Sequence, residues 1–170
     1  MKAMKRLFAV LLVLALALGL TGACFAQEPA LTRGEAAQML IRAADDYNRG
    51  VKLEDILKGY PDGELDLDGS VTRAQALIML DRAFGKLPAP VGDNARAAAG
   101  TQGFSDAPAW GGEELTRAVS SGIVAGAQDG LLHPEKEITR QELETLISRA
   151  YALEGKNLKD DFYAAVNKKW

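Results

Sequence analysis

Three arginines stand at positions where they could bind a carboxylate group. Arg33, Arg73 and Arg140 each follow a threonine at the predicted start of a helix. The unpaired backbone N–H groups and the positive end of the helix dipole favour an anion there, and a guanidinium group can hold a carboxylate through two parallel hydrogen bonds. The residues alone also allow ion pairs between these arginines and acidic residues of neighbouring segments. The pattern therefore indicates either anion binding or a structural role.

Catalytic and metal-binding chemistry finds little support in the sequence. His133 is the only histidine, which excludes a His-Glu-x-x-His zinc site and leaves His133 as the one possible histidine base of a serine or cysteine triad. The acidic stretch 64–69, with Gln75 at the twelfth position, approaches a calcium-binding loop but lacks the first Asp and the final bidentate carboxylate. We therefore predict no catalytic residue, no metal and no cofactor in this chain, and we interpret His133 as a surface residue.

The arginines belong to an internal repeat. Residues 56–65 align without a gap with residues 123–132. The same register continues into the next helix, where residues 71–75 align with residues 138–142, and residues 31–35 repeat this helix start once more. A repeat of this kind predicts stacked copies of one supersecondary unit that share a core.

Each of the three copies carries the signals of a capped, amphipathic helix. Thr32, Thr72 and Thr139 are predicted N-caps, each followed three residues later by Glu or Gln, which completes a capping box. Apolar residues recur at the fourth, seventh, eighth and eleventh positions after each threonine, as on one buried helix face. They are Ala36, Met39, Leu40, Ala43; Ala76, Met79, Leu80, Ala83; and Leu143, Leu146, Ile147, Ala150. The tenth position is always arginine, which we interpret as solvated or as ion-paired to a neighbouring repeat. These residues are Arg42, Arg82 and Arg149.

The segments before the capped helices differ in length. Asp-Gly turns at 62–63 and 129–130 permit the chain to reverse. The last copy has room for a further helix from about Pro108 to Ser121, and the second copy only for a short one near residues 52–58. The intervening segment, which is rich in Pro, Ala and Gly, is interpreted as a linker.

The first 26 residues are predicted to be a secretory signal peptide. Three basic residues precede the uncharged run 7–20, and small residues lead to a cleavage site after Ala26. Two alternatives stay open: Cys24 could be the lipid-modified first residue of a lipoprotein, or the run could be retained as a membrane anchor. Cleavage after Ala26 would remove the single cysteine, so no disulfide is expected.

The amino-acid composition restricts which side chains can fill the core and which partners the chain can bind. The chain of 170 residues has 20 basic and 23 acidic residues, and three of the basic ones lie in the predicted leader. We expect no nucleic-acid partner for so acidic a chain. Only 6% of the residues are aromatic, so the core must be built largely from alanine and aliphatic side chains, which suits closely packed helices.

The last copy resembles the S-layer homology (SLH) family. The matching features are Phe104-x-Asp106, Trp110, Gly122-Ile123-Val124-x-Gly126, Asp129-Gly130, Pro134 and Ile138-Thr139-Arg140-x-Glu142. Residues 59–73 resemble the second half of another such motif. The resemblance implies an all-α fold of three helix-loop-helix repeats around a pseudo-threefold axis, with the first repeat truncated. This truncation leaves one of the inter-repeat grooves of the family in doubt.

The resemblance also predicts how the chain is divided into segments. We expect a signal peptide at 1–26, a truncated first repeat at 27–46, a second repeat at 47–85, a linker at 86–103, a complete repeat at 104–153 and a tail at 154–170.

The function implied by the resemblance is non-covalent anchoring of an exported protein at the bacterial cell wall or S-layer. The expected partner is a secondary cell-wall polysaccharide, in forms that can carry pyruvate ketals, and no membrane is involved unless Cys24 is lipidated. The expected polysaccharide-binding residues are Arg33, Arg73, Arg140, Asp106, Trp110 and Gly126. A protein–protein assembly module is the alternative, and neither function requires this chain to be an enzyme.

The tail allows two interpretations. Asp161-Phe162-Tyr163, followed by Asn167 and Trp170, resembles the opening of the catalytic domain of neprilysin-type zinc metallopeptidases. In that case the parent protein is a wall-anchored protease whose metal ligands lie beyond Trp170. The spacing of Phe162, Val166 and Trp170 equally favours an amphipathic helix that docks on the repeats.

Overall fold

The computed structural model describes residues 28–44, 48, 50–85, 87, 100–124 and 126–153. Its helices are α1 (Arg33–Ala44), α2 (Leu53–Ile56), α3 (Arg73–Ala83), α4 (Gly112–Ser120) and α5 (Arg140–Leu153), with 3-10 helices at Gly100–Gly103 and Ala109–Gly111. Within these ranges extended pairing is confined to three isolated antiparallel bridges, which confirms the all-α prediction. None of the described helices is long and apolar enough to cross a bilayer. The predicted signal peptide, the tail and most of the linker lie outside the described residues.

The capped helices begin where the sequence predicts. The backbone N–H of Glu35 donates to Oγ1 of Thr32 at 3.2 Å, and the Thr32 N–H donates to the Glu35 carboxylate at 3.0 Å. The same reciprocal bonds join Thr72 with Gln75 and Thr139 with Glu142. All twelve apolar positions of the three repeats are buried, with no more than 4% of any residue exposed.

The segments that precede α1, α3 and α5 bind one another through their backbones. The N–H of Leu31 donates to the carbonyl of Ile138 at 2.9 Å, the N–H of Ile138 to Val71 at 3.0 Å, and the N–H of Val71 to Leu31 at 3.0 Å. These three bonds form a closed ring, which we call the central hydrogen-bond cycle. The three segments therefore meet at one place, and each orients the helix that follows it.

The starts of α1 and α3 also dock on the loop of the next copy. The first two N–H groups of α1 donate to Gly69 and Leu67, at 2.8 and 2.9 Å, in the loop before α3. The first two N–H groups of α3 donate to Lys136 and Pro134, at 2.8 and 3.0 Å, in the loop before α5. Backbone donors that a helix leaves unpaired are thus satisfied by a neighbouring copy, and the arginine of one copy is brought beside the loop and helix of the next.

A buried ion pair fastens the leading helix of the last copy to α3. The carboxylate of Asp81 is 1% exposed and accepts a hydrogen bond from Nη2 of Arg117, on α4, at 2.8 Å. The same carboxylate accepts the backbone N–H of Leu87 at 3.0 Å. Because the charged group is paired and hydrogen-bonded, its burial is tolerated.

The α5 helix differs from α3 on the face that α4 covers. Ile78 and Asp81 of α3 are buried, whereas Thr145 is exposed and Ser148 half-buried at the corresponding positions of α5. A polar surface needs no covering helix. The face of α5 that corresponds to the covered face of α3 is therefore partly exposed to solvent in the described structure.

Candidate functional site

Two grooves lie along corresponding faces of α3 and α5. The larger, of about 400 Å³, is lined by Arg33 and is called the Arg33 groove. The smaller, of about 180 Å³, is lined by Arg73 and is called the Arg73 groove. In both, the arginine comes from one copy, and the third, seventh and tenth positions after the threonine come from the helix of the next copy. These positions are Gln75, Met79 and Arg82 in the first groove, and Glu142, Leu146 and Arg149 in the second.

The Arg33 side chain is committed to contacts within the protein. The residue is 5% exposed, and its Nε donates to the carbonyl of Leu65 at 3.0 Å. Its guanidinium lies over the ring of Tyr60, 4.9 Å from the ring centroid, a cation–π contact. An anion that entered this groove would have to compete with these contacts.

The second arginine of the Arg33 groove is also occupied. Arg82 binds the carboxylate of Glu114 with two parallel hydrogen bonds of 2.8 and 2.5 Å, and its Nη1 donates to the carbonyl of Ile56 at 3.0 Å. The hydrogen bonds from Arg82 lower the pKa of Glu114 more than its burial raises it. Trp110, which is 56% exposed, and Tyr60, which is 42% exposed, give the groove two aromatic surfaces.

In the Arg73 groove, in contrast, the arginines make few hydrogen bonds within the protein. The guanidinium of Arg73 makes no hydrogen bond within the described part of the chain, and Arg149 uses one nitrogen, Nη1, to bind the carbonyl of Ile123 at 2.9 Å. Glu142 instead is bonded by Nζ of Lys136 at 2.6 Å. Burial raises the pKa of Glu142, but the hydrogen bonds to it and the charges of Lys136 and Arg73 lower it below its ordinary value. The groove thus combines an available guanidinium with a carboxylate that is already bound.

Arg140, Asp106 and Gly126 line neither groove. Nε of Arg140 donates to Glu144 at 3.1 Å on the exposed surface of α5. The two oxygens of Asp106 accept the backbone N–H groups of Leu132 and His133, each at 2.8 Å, and Gly126 has a positive φ of 77° in the preceding turn. Of the six expected binding residues, the structure therefore brings Arg33 and Trp110 together and places Arg73 in a separate groove.

Two of the three tenth-position arginines bind the segment that precedes their own capped helix, a contact that the sequence pattern did not predict. Arg82 binds the carbonyl of Ile56 and Arg149 that of Ile123, and each pair is separated by 26 residues. The equal separation in two copies is a signal that could have revealed the contact. The additional pair between Arg82 and Glu114 agrees with the predicted ion pair to a neighbouring repeat.

Acid is expected to weaken the fold through Asp106. Burial raises the pKa of Asp106, but the hydrogen bonds from Leu132 and His133 lower it below its ordinary value of 3.8. A carboxyl group with a lowered pKa stabilises the folded state fully above that ordinary value, and this stabilisation is lost as the pH falls through the lowered pKa. We expect the midpoint temperature of thermal unfolding to decrease once the pH is lowered below about 4. In Asp106→Asn the midpoint should be lower at neutral pH and should depend less on acid, and an unchanged acid dependence would contradict this role.

Residues 103–144 match the S-layer homology domain. Over this segment the chain is similar to the S-layer homology family. Over 93 residues, 54% of the chain, it is 30% identical to Cell surface glycoprotein 1 of Acetivibrio thermocellus. Over 105 residues, 62% of the chain, it is 29% identical to an endoglucanase of Bacillus sp. (strain KSM-635). The chain spans 4% and 10% of the length of these relatives, and no solved structure matches it.

The S-layer homology domain is a non-catalytic binding module that anchors proteins at the cell surface through wall polymers. Proteins with S-layer homology domains are secreted and attached to the cell wall or S-layer, in agreement with the predicted location. The resemblance of the tail to a metallopeptidase stays a prediction, because the tail lies outside both the described residues and the matched domain.

Proposed function

We propose that the S-layer homology domain anchors this protein by binding a carboxylate-bearing secondary wall polysaccharide in the Arg73 groove. The observation that carries the proposal is the guanidinium of Arg73, which lies in a groove and makes no hydrogen bond to the described residues. A half-buried cation in such a place can bind an anion without breaking an existing bond.

The chemistry of the groove suits a pyruvate ketal. Such a group presents one carboxylate, whose two oxygens match the fork of a guanidinium. Arg149 retains two nitrogens without hydrogen bonds in the described structure. Lys136, at the edge of the groove, is paired with Glu142. A volume of about 180 Å³ suits one substituted sugar better than a longer segment of polymer.

The central hydrogen-bond cycle supports an arrangement of the three repeats around a pseudo-threefold axis. Leu31, Val71 and Ile138 occupy the same position in their copies and form the same bond to one another. In this arrangement a groove lies between each copy and the next, which explains why the Arg33 and Arg73 grooves use corresponding positions.

We assign different roles to the other residues that were expected to bind polysaccharide. Asp106 and Gly126 shape the loop before α5, which supplies Lys136 to the Arg73 groove, so we treat them as positioning residues. Arg140 lies on an exposed surface and is paired with Glu144, so it contributes least to binding. Trp110 forms a wall of the Arg33 groove.

Substitution of Arg73 by alanine is expected to weaken binding to purified, pyruvylated wall polysaccharide by roughly 30-fold, the loss of a charge-assisted hydrogen-bond pair. Co-sedimentation over a range of polymer concentrations measures the affinity. Arg140→Ala is the matched control, because it removes an arginine from the same position of another helix, and it should change the affinity by less than about threefold. Circular dichroism should show equal helical content in all three proteins.

Two results would contradict the proposal. If the wild-type protein does not sediment with wall polysaccharide at all, carbohydrate anchoring is wrong and a protein–protein assembly module becomes the better hypothesis. If Arg140→Ala weakens binding as much as Arg73→Ala, the Arg73 groove is not the site.

A further inference from the structure

The Arg73 groove contains two carboxylates of the protein itself that could neutralise Arg73. Glu137 and Glu142 line the groove together with Arg73. The carboxylate of Glu142 is bonded by Nζ of Lys136 at 2.6 Å. The carboxylate of Glu137 accepts a hydrogen bond from Oγ of Ser70, also at 2.6 Å. Within the described ranges, neither carboxylate forms an ion pair with Arg73.

The backbone places Glu137 within reach of Arg73. Thr72, which directly precedes Arg73, is paired with Glu137 in an antiparallel bridge. The N–H of Arg73 donates to the carbonyl of Lys136 at 2.8 Å. Backbones paired in this way lie about 5 Å apart, a separation that the side chains of a glutamate and an arginine can span. The backbone geometry alone would therefore favour an ion pair between Glu137 and Arg73.

Ser70 is fixed at a place where it competes for the Glu137 carboxylate. Its backbone is bridged to Thr32, and the next residue, Val71, belongs to the central hydrogen-bond cycle. Glu137 likewise precedes Ile138, whose N–H donates to the carbonyl of Val71 at 3.0 Å. Because both backbones are held in this way, rotation of the glutamate side chain decides whether its carboxylate lies at the serine or at the arginine.

The Arg33 groove has no equivalent of this contact. Ser70 lies two residues before the threonine of its copy, and the same position holds Ala30 in the first copy and Glu137 in the last. The pair that corresponds to Ser70 and Glu137 in the Arg33 groove is therefore Ala30 and Ser70, which brings no carboxylate. The serine–glutamate contact thus occurs only beside Arg73, whose guanidinium makes no hydrogen bond within the described part of the chain.

We infer that Ser70 is a positioning residue for ligand binding, because its hydroxyl holds the carboxylate of Glu137 away from the guanidinium of Arg73. The inference rests on the proposed function and names a residue that does not line the groove but sets its affinity. Without the hydroxyl, the Glu137 carboxylate can rotate onto Arg73 and compete with the ligand as a tethered anion. Because Ser70 is exposed, its replacement should leave the fold intact.

The test is a double-mutant cycle of Ser70→Ala and Glu137→Gln, measured by co-sedimentation with pyruvylated wall polysaccharide. Ser70→Ala should weaken binding roughly fourfold, the strength of a partly exposed ion pair between Glu137 and Arg73. In a protein that already carries Glu137→Gln, the same change should alter the affinity by less than about 1.5-fold, because no carboxylate remains to pair with Arg73. Ser70→Thr, which keeps the hydroxyl, should bind like the wild type.

A purely structural role of Ser70 would give a different result. Ser70→Ala would then weaken binding equally with and without Glu137→Gln, and this outcome would overturn the inference. Full affinity of Ser70→Ala would overturn it as well. Both outcomes leave binding through Arg73 intact.

A measurement without ligand separates the inference from the proposed function. In heteronuclear NMR spectra the Nε–H signal of Arg73, assigned by its loss in Arg73→Lys, should shift in Ser70→Ala, because the Glu137 carboxylate becomes its acceptor. The signal should return to the wild-type position when Glu137→Gln is added. An unchanged signal in Ser70→Ala would contradict the inference. If the wild type bound no wall polysaccharide, the proposed function would fail, whereas a shifted signal would still show that Ser70 holds Glu137 away from Arg73.

Discussion

Replacing Asp81 with alanine is expected to destabilise the domain by about 2 kcal/mol, because it removes a buried carboxylate that forms an ion pair and accepts a backbone hydrogen bond. The carboxylate is 1% exposed and is the main partner of Arg117. It also accepts the backbone N–H of Leu87, which would lose its acceptor at a buried position. Urea unfolding at neutral pH, followed by circular dichroism, measures the change in the free energy of unfolding.

The same arginine offers a matched control. Glu113 lies 3.6 Å from Nη1 of Arg117, but its side chain is 96% exposed. Glu113→Ala should therefore change the free energy of unfolding by less than about 0.5 kcal/mol. Asp81→Asn keeps an oxygen that can accept the Leu87 N–H and loses only the charge, so its effect should be intermediate. Equally small effects of Asp81→Ala and Glu113→Ala would show that the buried pair does not hold α4 on α3.

The second large effect is expected at the eighth position of the capped helices. Leu40, Leu80 and Ile147 occupy this position and are 0% exposed. Truncation of any one to alanine removes buried methyl groups and leaves a cavity, at a cost of about 3 kcal/mol. Because the three copies share one core, the three variants should be destabilised by similar amounts in urea unfolding.

Leu67→Ala is the control for this series. Leu67 is 40% exposed, so the same chemical change should cost less than about 0.5 kcal/mol. A variant at Leu40 that is as stable as the wild type would mean that α1 does not belong to the common core.

The capped helices could be predicted because their signals are local. Thr72 and Gln75 are three residues apart, and their reciprocal hydrogen bonds need no distant partner. The apolar positions follow the helix period within a single segment. The position of the short leading helix, Leu53–Ile56, also follows from the room available between the first two copies.

The different solvent exposure and contacts of the three arginines could not be predicted from the sequence. Arg33, Arg73 and Arg140 follow identical threonines, yet the first is buried, the second half-buried and the third exposed. The burial of Arg33 depends on Tyr60 and Leu65, which belong to another copy and reach it only in the folded chain. Equal positions in a repeat therefore predict equal backbone geometry but not equal availability for a ligand.

The pairing of Asp81 with Arg117 could likewise not be predicted from the sequence pattern. The two residues are 36 positions apart and lie on opposite sides of the predicted linker. An aspartate near the end of an amphipathic helix suggests an exposed surface. Its burial follows only once α4 covers that face of α3.

The central hydrogen-bond cycle has a mechanical consequence for a protein held on a cell surface. In an open array of repeats each unit contacts only its neighbours, so a pulling force can peel the array from one end. Here Leu31, before the first helix, is bonded to Ile138, before the last. A force applied at either end of the domain acts on the same ring of hydrogen bonds. Separating α1 from the rest would break the bond to Ile138, which orients α5. We therefore expect the three capped helices to unfold as one unit under tension.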